Sequence, residues 1–149
     1  MLKNKPKTTF VSAETIKKTL QAKPSQGKKL LKPLSLISSK NNLPLNILES
    51  KKVLEGDAEV HEFEGDLWNC IQGTITFICG GELVNPKNSK DESGKNIPGE
   101  FKAKSIKKGR KMTLKKGDWL WIPPGQPHQH LTENLARLFV IKIPIKNNY

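Results

Sequence analysis

The three histidines of this sequence stand in two short segments. The first segment begins at His61 and contains Asp66, and the second ends with His128 and His130. Imidazole nitrogens and carboxylate oxygens together bind divalent transition metals, and two histidines with one carboxylate leave coordination positions open. These two segments are therefore the places where metal-binding or proton-transfer chemistry is expected, provided that the fold brings them together.

His130 follows His128 by two residues, and side chains two apart on a strand point to the same face of a sheet. We therefore expect His130 to face the same side as His128. It would be either a further metal ligand or a group that hydrogen-bonds to the wall of a polar cavity. The ordinary histidine pKa of about 6.5 would also suit a catalytic role in proton transfer.

The elements that must position these residues are strands. From Leu43 onward, short runs of β-branched and aromatic residues are divided by glycine, proline and asparagine, which predicts antiparallel strands in an all-β sandwich or barrel. The polar segment 85–98 has little apolar surface to bury and is expected to be an exposed loop, either a lid or a hairpin tip. The predicted strands cover residues 43–48, 58–64, 67–72, 73–79, 99–106, 112–114, 119–122, 129–131 and 136–143.

Residues 1–42 are predicted to form an N-terminal arm that precedes a barrel over residues 43–149. A short helix is expected from Ser12, a residue type that caps helices, to Ala22. The lysines, prolines and glycine of residues 23–34 favour a mobile linker over an element of the core.

The sequence has a formal net charge of +12, and nearly all of its positive residues are lysine. Only Arg110 and Arg137 carry the planar group that favours phosphate and base recognition, which argues against nucleic acid as a partner. No apolar run is long enough to span a membrane and no secretory leader is evident, so we expect a cytoplasmic protein without a membrane partner. Cys70 and Cys79 lie in apolar runs and are expected to be buried, reduced thiols.

The segment that leads to His128 resembles the second motif of the cupin family. That motif reads glycine, five residues, proline, one residue, glycine, two residues, histidine. Gly117, Pro123, Gly125 and His128 match it without a gap.

The family's first motif is only partly present. It contains two histidines separated by one residue, then a glutamate, and then a glycine at the next strand junction. His61 and Gly73 match the first histidine and the glycine, while Phe63 stands in place of the second histidine and Asp66 in place of the glutamate.

The resemblance implies a small single-domain cupin of the RmlC-like type. Its fold would be the cupin double-stranded β-helix, a jelly-roll barrel that holds one divalent metal ion, which could be iron, manganese, nickel or zinc. The match implies ligands at His61, Asp66 and His128, and His130 would replace the ligand lost at Phe63. The ring of Phe63 would then fill the volume inside, and the pocket would also be lined by Trp68 and Cys70, which share the strand parity of Asp66.

Two classes of function stay open. One is a metal-dependent enzyme, such as an oxygenase or isomerase, that acts on a small polar metabolite. The other is a non-catalytic cupin that has lost its metal and serves as a small-molecule binding barrel. In either case the resemblance implies a homodimer.

Overall fold

Antiparallel strands make up most of the fold. The computed structural model describes residues 5–145, and within them nine strands join in one curled sheet while β5 and β8 pair separately. This arrangement confirms the all-β jelly-roll fold. The helices are α1 (Ala13–Leu20) and α2 (Leu34–Asn41), and the strands are β1 (Gly27–Leu30), β2 (Leu45–Val53), β3 (Ala58–His61), β4 (Glu64–Cys79), β5 (Glu82–Leu83), β6 (Lys87–Lys90), β7 (Asn96–Ala103), β8 (Ile106–Lys107), β9 (Arg110–Lys115), β10 (Trp119–Ile122) and β11 (His128–Pro144).

The strands β4 and β11 are longer than the sequence predicts, because each joins two predicted strands. They pair with each other along most of their lengths, with a register shift between Leu131 and Ala136. Gly73 lies at this irregularity in β4 with a φ of +75°, and a Cβ at that position would stand 1.8 Å from the carbonyl oxygen of Leu135. Only glycine fits there, so the strand bends without ending.

The inner face of the curled sheet carries the larger apolar cluster. Trp68 and Cys70 are buried there together with Phe77 and Leu138, and Asp66 lies in phase with Trp68 on the same strand. Cys70 and Cys79 are both buried and free, as the sequence predicts. The aligned inward positions place a carboxylate at the end of an apolar core.

The N-terminal arm is packed onto the outer face of the sheet. The side chain of Ser12 accepts a hydrogen bond from the Thr15 amide at 3.1 Å, which confirms the predicted helix cap. The prediction of a mobile linker over 23–34 is wrong, because the segment contains β1, which pairs with β2. Leu31 and Leu34 are 2% and 0% exposed in a second apolar cluster, so their burial offsets the cost of ordering this segment.

A buried ion pair attaches the arm to the sheet. The guanidinium of Arg137 donates to Glu49 Oε2 at 2.8 Å and 2.6 Å, and also to the carbonyl oxygens of Leu20 and Ala22. The Ser25 amide donates to the other oxygen of Glu49 at 3.0 Å. Burial by itself would raise the pKa of Glu49, but the hydrogen bonds from Ser25 and Arg137 outweigh it and lower that pKa.

The polar segment 85–98 is exposed, as expected, and of the two predicted forms it is the hairpin, although its sides are paired strands. Its two sides belong to β6 and β7, and Asp91 Oδ1 accepts hydrogen bonds from the amides of Ser93 and Lys95 in the turn.

Within the described residues 5–145, no helix is long and apolar enough to cross a membrane.

Candidate metal centre

Three strands bring the two histidine segments together. His128, the first residue of β11, pairs with Glu59 of β3, and the amide of Gly125 donates to the carbonyl oxygen of His61 at 2.8 Å. The turn before His128 is therefore attached to the end of β3. Asp66 reaches the same place from β4, because β4 and β11 are neighbours.

The side chains of His61, Asp66 and His128 meet inside this end of the barrel. Asp66 Oδ2 lies 3.4 Å from His128 Nε2 and 3.8 Å from His61 Nε2. Asp66 and His128 are 1% and 2% exposed, and His61 is 9% exposed. The structure therefore brings together the three residues that the sequence singled out.

Hydrogen bonds at the far side of each imidazole ring set its orientation. His61 Nδ1 is hydrogen-bonded to the carboxylate of Glu100, and His128 Nδ1 lies 3.1 Å from the carbonyl oxygen of Gln126. Both partners are acceptors, so the network assigns the ring proton to Nδ1. The lone pair of each Nε2 is then directed toward Asp66, as in histidines that bind metals.

Two of the inner atoms of this group lack a hydrogen-bond donor. Asp66 Oδ2 and His128 Nε2 are buried, and neither has a hydrogen-bond partner. Two such atoms that face each other at 3.4 Å repel unless a proton or a metal ion lies between them. Ligands about 2.1 Å from one metal ion stand about 3 to 3.4 Å apart, so the separation fits for His128 and is a few tenths of an ångström wider for His61. The distances from Asp66 Oδ2 to the two imidazole nitrogens are therefore close to those between ligands of one divalent metal ion.

No protein-family model matches the sequence, and no curated protein sequence matches it either. Solved structures do resemble the fold. The ribosomal oxygenase YcfD from Escherichia coli is 17% identical with a TM-score of 0.51, over 86% of this chain and 34% of that chain. Oxalate oxidase is 14% identical with a TM-score of 0.50, over 91% of this chain and 59% of that one. Both are cupin-fold proteins.

The chain has the cupin fold. A third similar structure is EutQ from Clostridium difficile, which is 16% identical with a TM-score of 0.43, over 80% of this chain and 62% of that one. The chain spans less than two thirds of the length of each of these three proteins. At such identities the likeness concerns the fold alone.

The two residues that point inward at the end of β3 are not the pair that the sequence suggests. Ligand atoms of Glu59, His61 and His128 all lie within 4.8 Å of one another. Phe63 lies beyond the end of β3, is 46% exposed and approaches Gly99 instead of filling the pocket. The two inward residues are therefore Glu59 and His61. The sequence could have indicated them, because residues two apart on one strand share a face.

His130 lies inside the barrel but away from the other two histidines. Its ring packs against Trp68 and Phe77 at centroid distances of 5.4 Å and 5.3 Å. Among the described residues, neither His130 nor Asp66 belongs to a group of three ligand atoms within 4.8 Å of one another, and Asp66 is placed at the centre by its pairwise distances to His61 and His128. Burial lowers the pKa of His130 to about 3, which argues against the predicted role in proton transfer near neutral pH.

Sequence reasoning missed Lys142, whose ammonium also enters the centre. Its Nζ donates to Asp66 Oδ1 at 2.8 Å and lies 3.5 Å from His61 Nε2. Burial alone would raise the pKa of Asp66, but the nearby His128 and Lys142 outweigh it and lower that pKa, so Asp66 is ionised. The sequence contains a signal for this position, because Lys142 lies on the same strand face as Leu138 and Val140, whose side chains are buried.

The rim of the centre is acidic. Ligand atoms of His61, Glu64 and Glu100 lie within 4.8 Å of one another. The side chains of Glu64 and Glu100 are 32% and 24% exposed, and that of Lys142 is 37% exposed. This is the side from which a solute could reach the buried histidines.

Proposed function

We propose that this cupin binds a divalent metal ion through His61, Asp66 and His128, with Glu59 as a fourth donor. The observation that carries the proposal is the pair of buried, unpartnered acceptors that face each other, Asp66 Oδ2 and His128 Nε2. The donor set suits iron, manganese, nickel or zinc. When bound, such a metal would polarise an oxygen of a small polar ligand or activate water or oxygen.

The chain's own residues would orient and shield this centre. Glu100 and the carbonyl oxygen of Gln126 hold the two imidazole rings with Nε2 inward. The rings of Trp68, Phe77 and His130 pack against one another on the inner side of the centre. A small polar metabolite would therefore approach from the acidic rim and meet the metal at its open coordination positions.

A specific observation favours the second candidate, a non-catalytic cupin that has lost its metal. The ammonium of Lys142 already supplies a positive charge to Asp66 and a donor to His61. If His128 also carried a proton on Nε2, Asp66 and the two histidines would have hydrogen-bond partners without a metal. The barrel would then serve for binding a small molecule. A homodimer remains a prediction for both candidates.

Elemental analysis of purified protein, after reconstitution with each candidate metal, separates the two. We expect about one equivalent of metal in the native protein, and its loss in His61→Ala and His128→Ala, because each variant removes one of few ligands. His130→Phe is the matched control, since it changes a histidine outside the donor set and keeps an aromatic ring against Trp68 and Phe77.

The control should retain its metal, and circular dichroism should show all four proteins folded. Metal that persists in both alanine variants would place it elsewhere in the chain. Native protein that takes up no metal after reconstitution would favour the metal-free barrel.

A further inference from the structure

Lys142 occupies an acceptor that a metal ion would need. It lies opposite Asp66 in the pairing of β4 with β11, and its Nζ is 3.5 Å from His61 Nε2. Because Glu100 holds the other nitrogen of His61, the lone pair of Nε2 is the one available to either cation. An ammonium and a metal ion cannot share that lone pair.

The charges at this position also indicate that the ammonium of Lys142 and a metal ion exclude each other. A carboxylate that is 1% exposed needs a counter-ion, and Lys142 supplies one at 2.8 Å from Asp66 Oδ1. A divalent ion bound by Asp66 Oδ2 and the histidines would take over that role and would repel an ammonium a few ångströms away. The lysine therefore stabilises the metal-free centre and opposes the metal-bound one.

The structure also offers the ammonium a second partner. Glu64 Oε1 lies 3.7 Å from Lys142 Nζ, and the side chains are 32% and 37% exposed. A rotation toward the rim would leave His61 Nε2 free while the ammonium keeps a carboxylate beside it.

We infer that Lys142 is an internal competitor for the metal site, which neutralises Asp66 and occupies His61 when metal is absent and moves to Glu64 when metal binds. This inference rests on the proposed metal site. It makes Lys142 a residue that sets metal affinity. The centre would then exchange one cation for another instead of leaving a buried carboxylate uncompensated.

Calorimetric titration with zinc tests the competition in native protein, Lys142→Met and a matched control. Lys142→Met should bind zinc about tenfold tighter or more, a change of the size that residues beside metal ligands cause. Without metal, the same variant should melt at a lower temperature than native protein because Asp66 has lost its counter-ion. The control is Lys104→Met, which removes an exposed lysine paired with Asp57 at 2.8 Å and should change neither value.

Glu64→Gln tests the proposed destination of the ammonium. It should weaken zinc binding when Lys142 is present and should have no effect in the Lys142→Met background. An equal loss in both backgrounds would mean that Glu64 acts directly on the metal, and the movement to Glu64 would be wrong. If Lys142→Met does not fold, Lys142→Gln removes the charge and keeps a donor for Asp66.

The outcomes separate the inference from the proposal on which it rests. Native protein that binds zinc as tightly as Lys142→Met would overturn the competition and leave the metal site standing. Zinc binding by Lys142→Met alone would support the competition and show that the native centre excludes metal. No zinc binding by either protein would overturn both.

Discussion

Arg137→Met should lower the free energy of unfolding by about 3 to 5 kcal/mol, because it removes one partner of a buried ion pair. Glu49, which is 0% exposed, would keep only the partly exposed Lys29, 3.5 Å from its Oε1, as a counter-ion. The carbonyl oxygens of Leu20 and Ala22 would lose their donor as well, so the arm should detach before the barrel unfolds. Urea denaturation gives the energy, and hydrogen exchange of the β1 amides reports the detachment.

Two further variants show whether the pair itself is responsible. Arg110→Met removes an exposed arginine and should change stability by no more than about 0.5 kcal/mol. Glu49→Leu combined with Arg137→Met removes both charges and should be less damaging than Arg137→Met alone. A loss below about 1 kcal/mol in Arg137→Met, the range of exposed pairs, would contradict the role assigned to this pair.

Asp66→Asn should weaken metal binding by about a hundredfold or more, at or beyond the upper end of what residues outside the ligand set contribute. The substitution keeps the shape of the side chain but removes the negative charge that faces His128 at 3.4 Å. A neutral amide oxygen is also a poorer ligand for transition metals than a carboxylate. Competition against a chelator of known affinity measures the change.

Asp57→Asn is the matched control for this measurement. Asp57 is exposed and pairs with Lys104, outside the proposed donor set, so its variant should bind metal as the native protein does. A similar loss in both variants would indicate a general effect of charge on the protein. Unchanged affinity in Asp66→Asn would remove Asp66 from the ligand set.

The sequence predicted much of the site because two kinds of local information agree there. The second motif defines the turn that leads to His128, and alternation along β4 places Asp66, Trp68 and Cys70 on one face. The choice of Phe63 failed because alternation holds only within a strand. Since β3 ends at His61, the inward partner is Glu59, two residues before it and not two residues after.

The contacts of Lys142 and of the N-terminal arm could not be predicted, because they join segments that are far apart in the sequence. The lysine meets Asp66 only because β11 pairs with β4 in one particular register. Likewise, the lysines and prolines around Leu31 and Leu34 favour a linker, and tertiary packing against Ile47 overrides that local preference. Such contacts become visible only when the sheet is assembled.

The location of a bound metal directly tests whether His61, Asp66 and His128 form the metal site. We would grow crystals of the native protein with zinc and record anomalous diffraction on both sides of the zinc absorption edge. We expect one strong anomalous peak within ligand distance of His61 Nε2, His128 Nε2 and Asp66 Oδ2. A peak only among the rim carboxylates of Glu64 and Glu100, or no peak in the barrel, would contradict it.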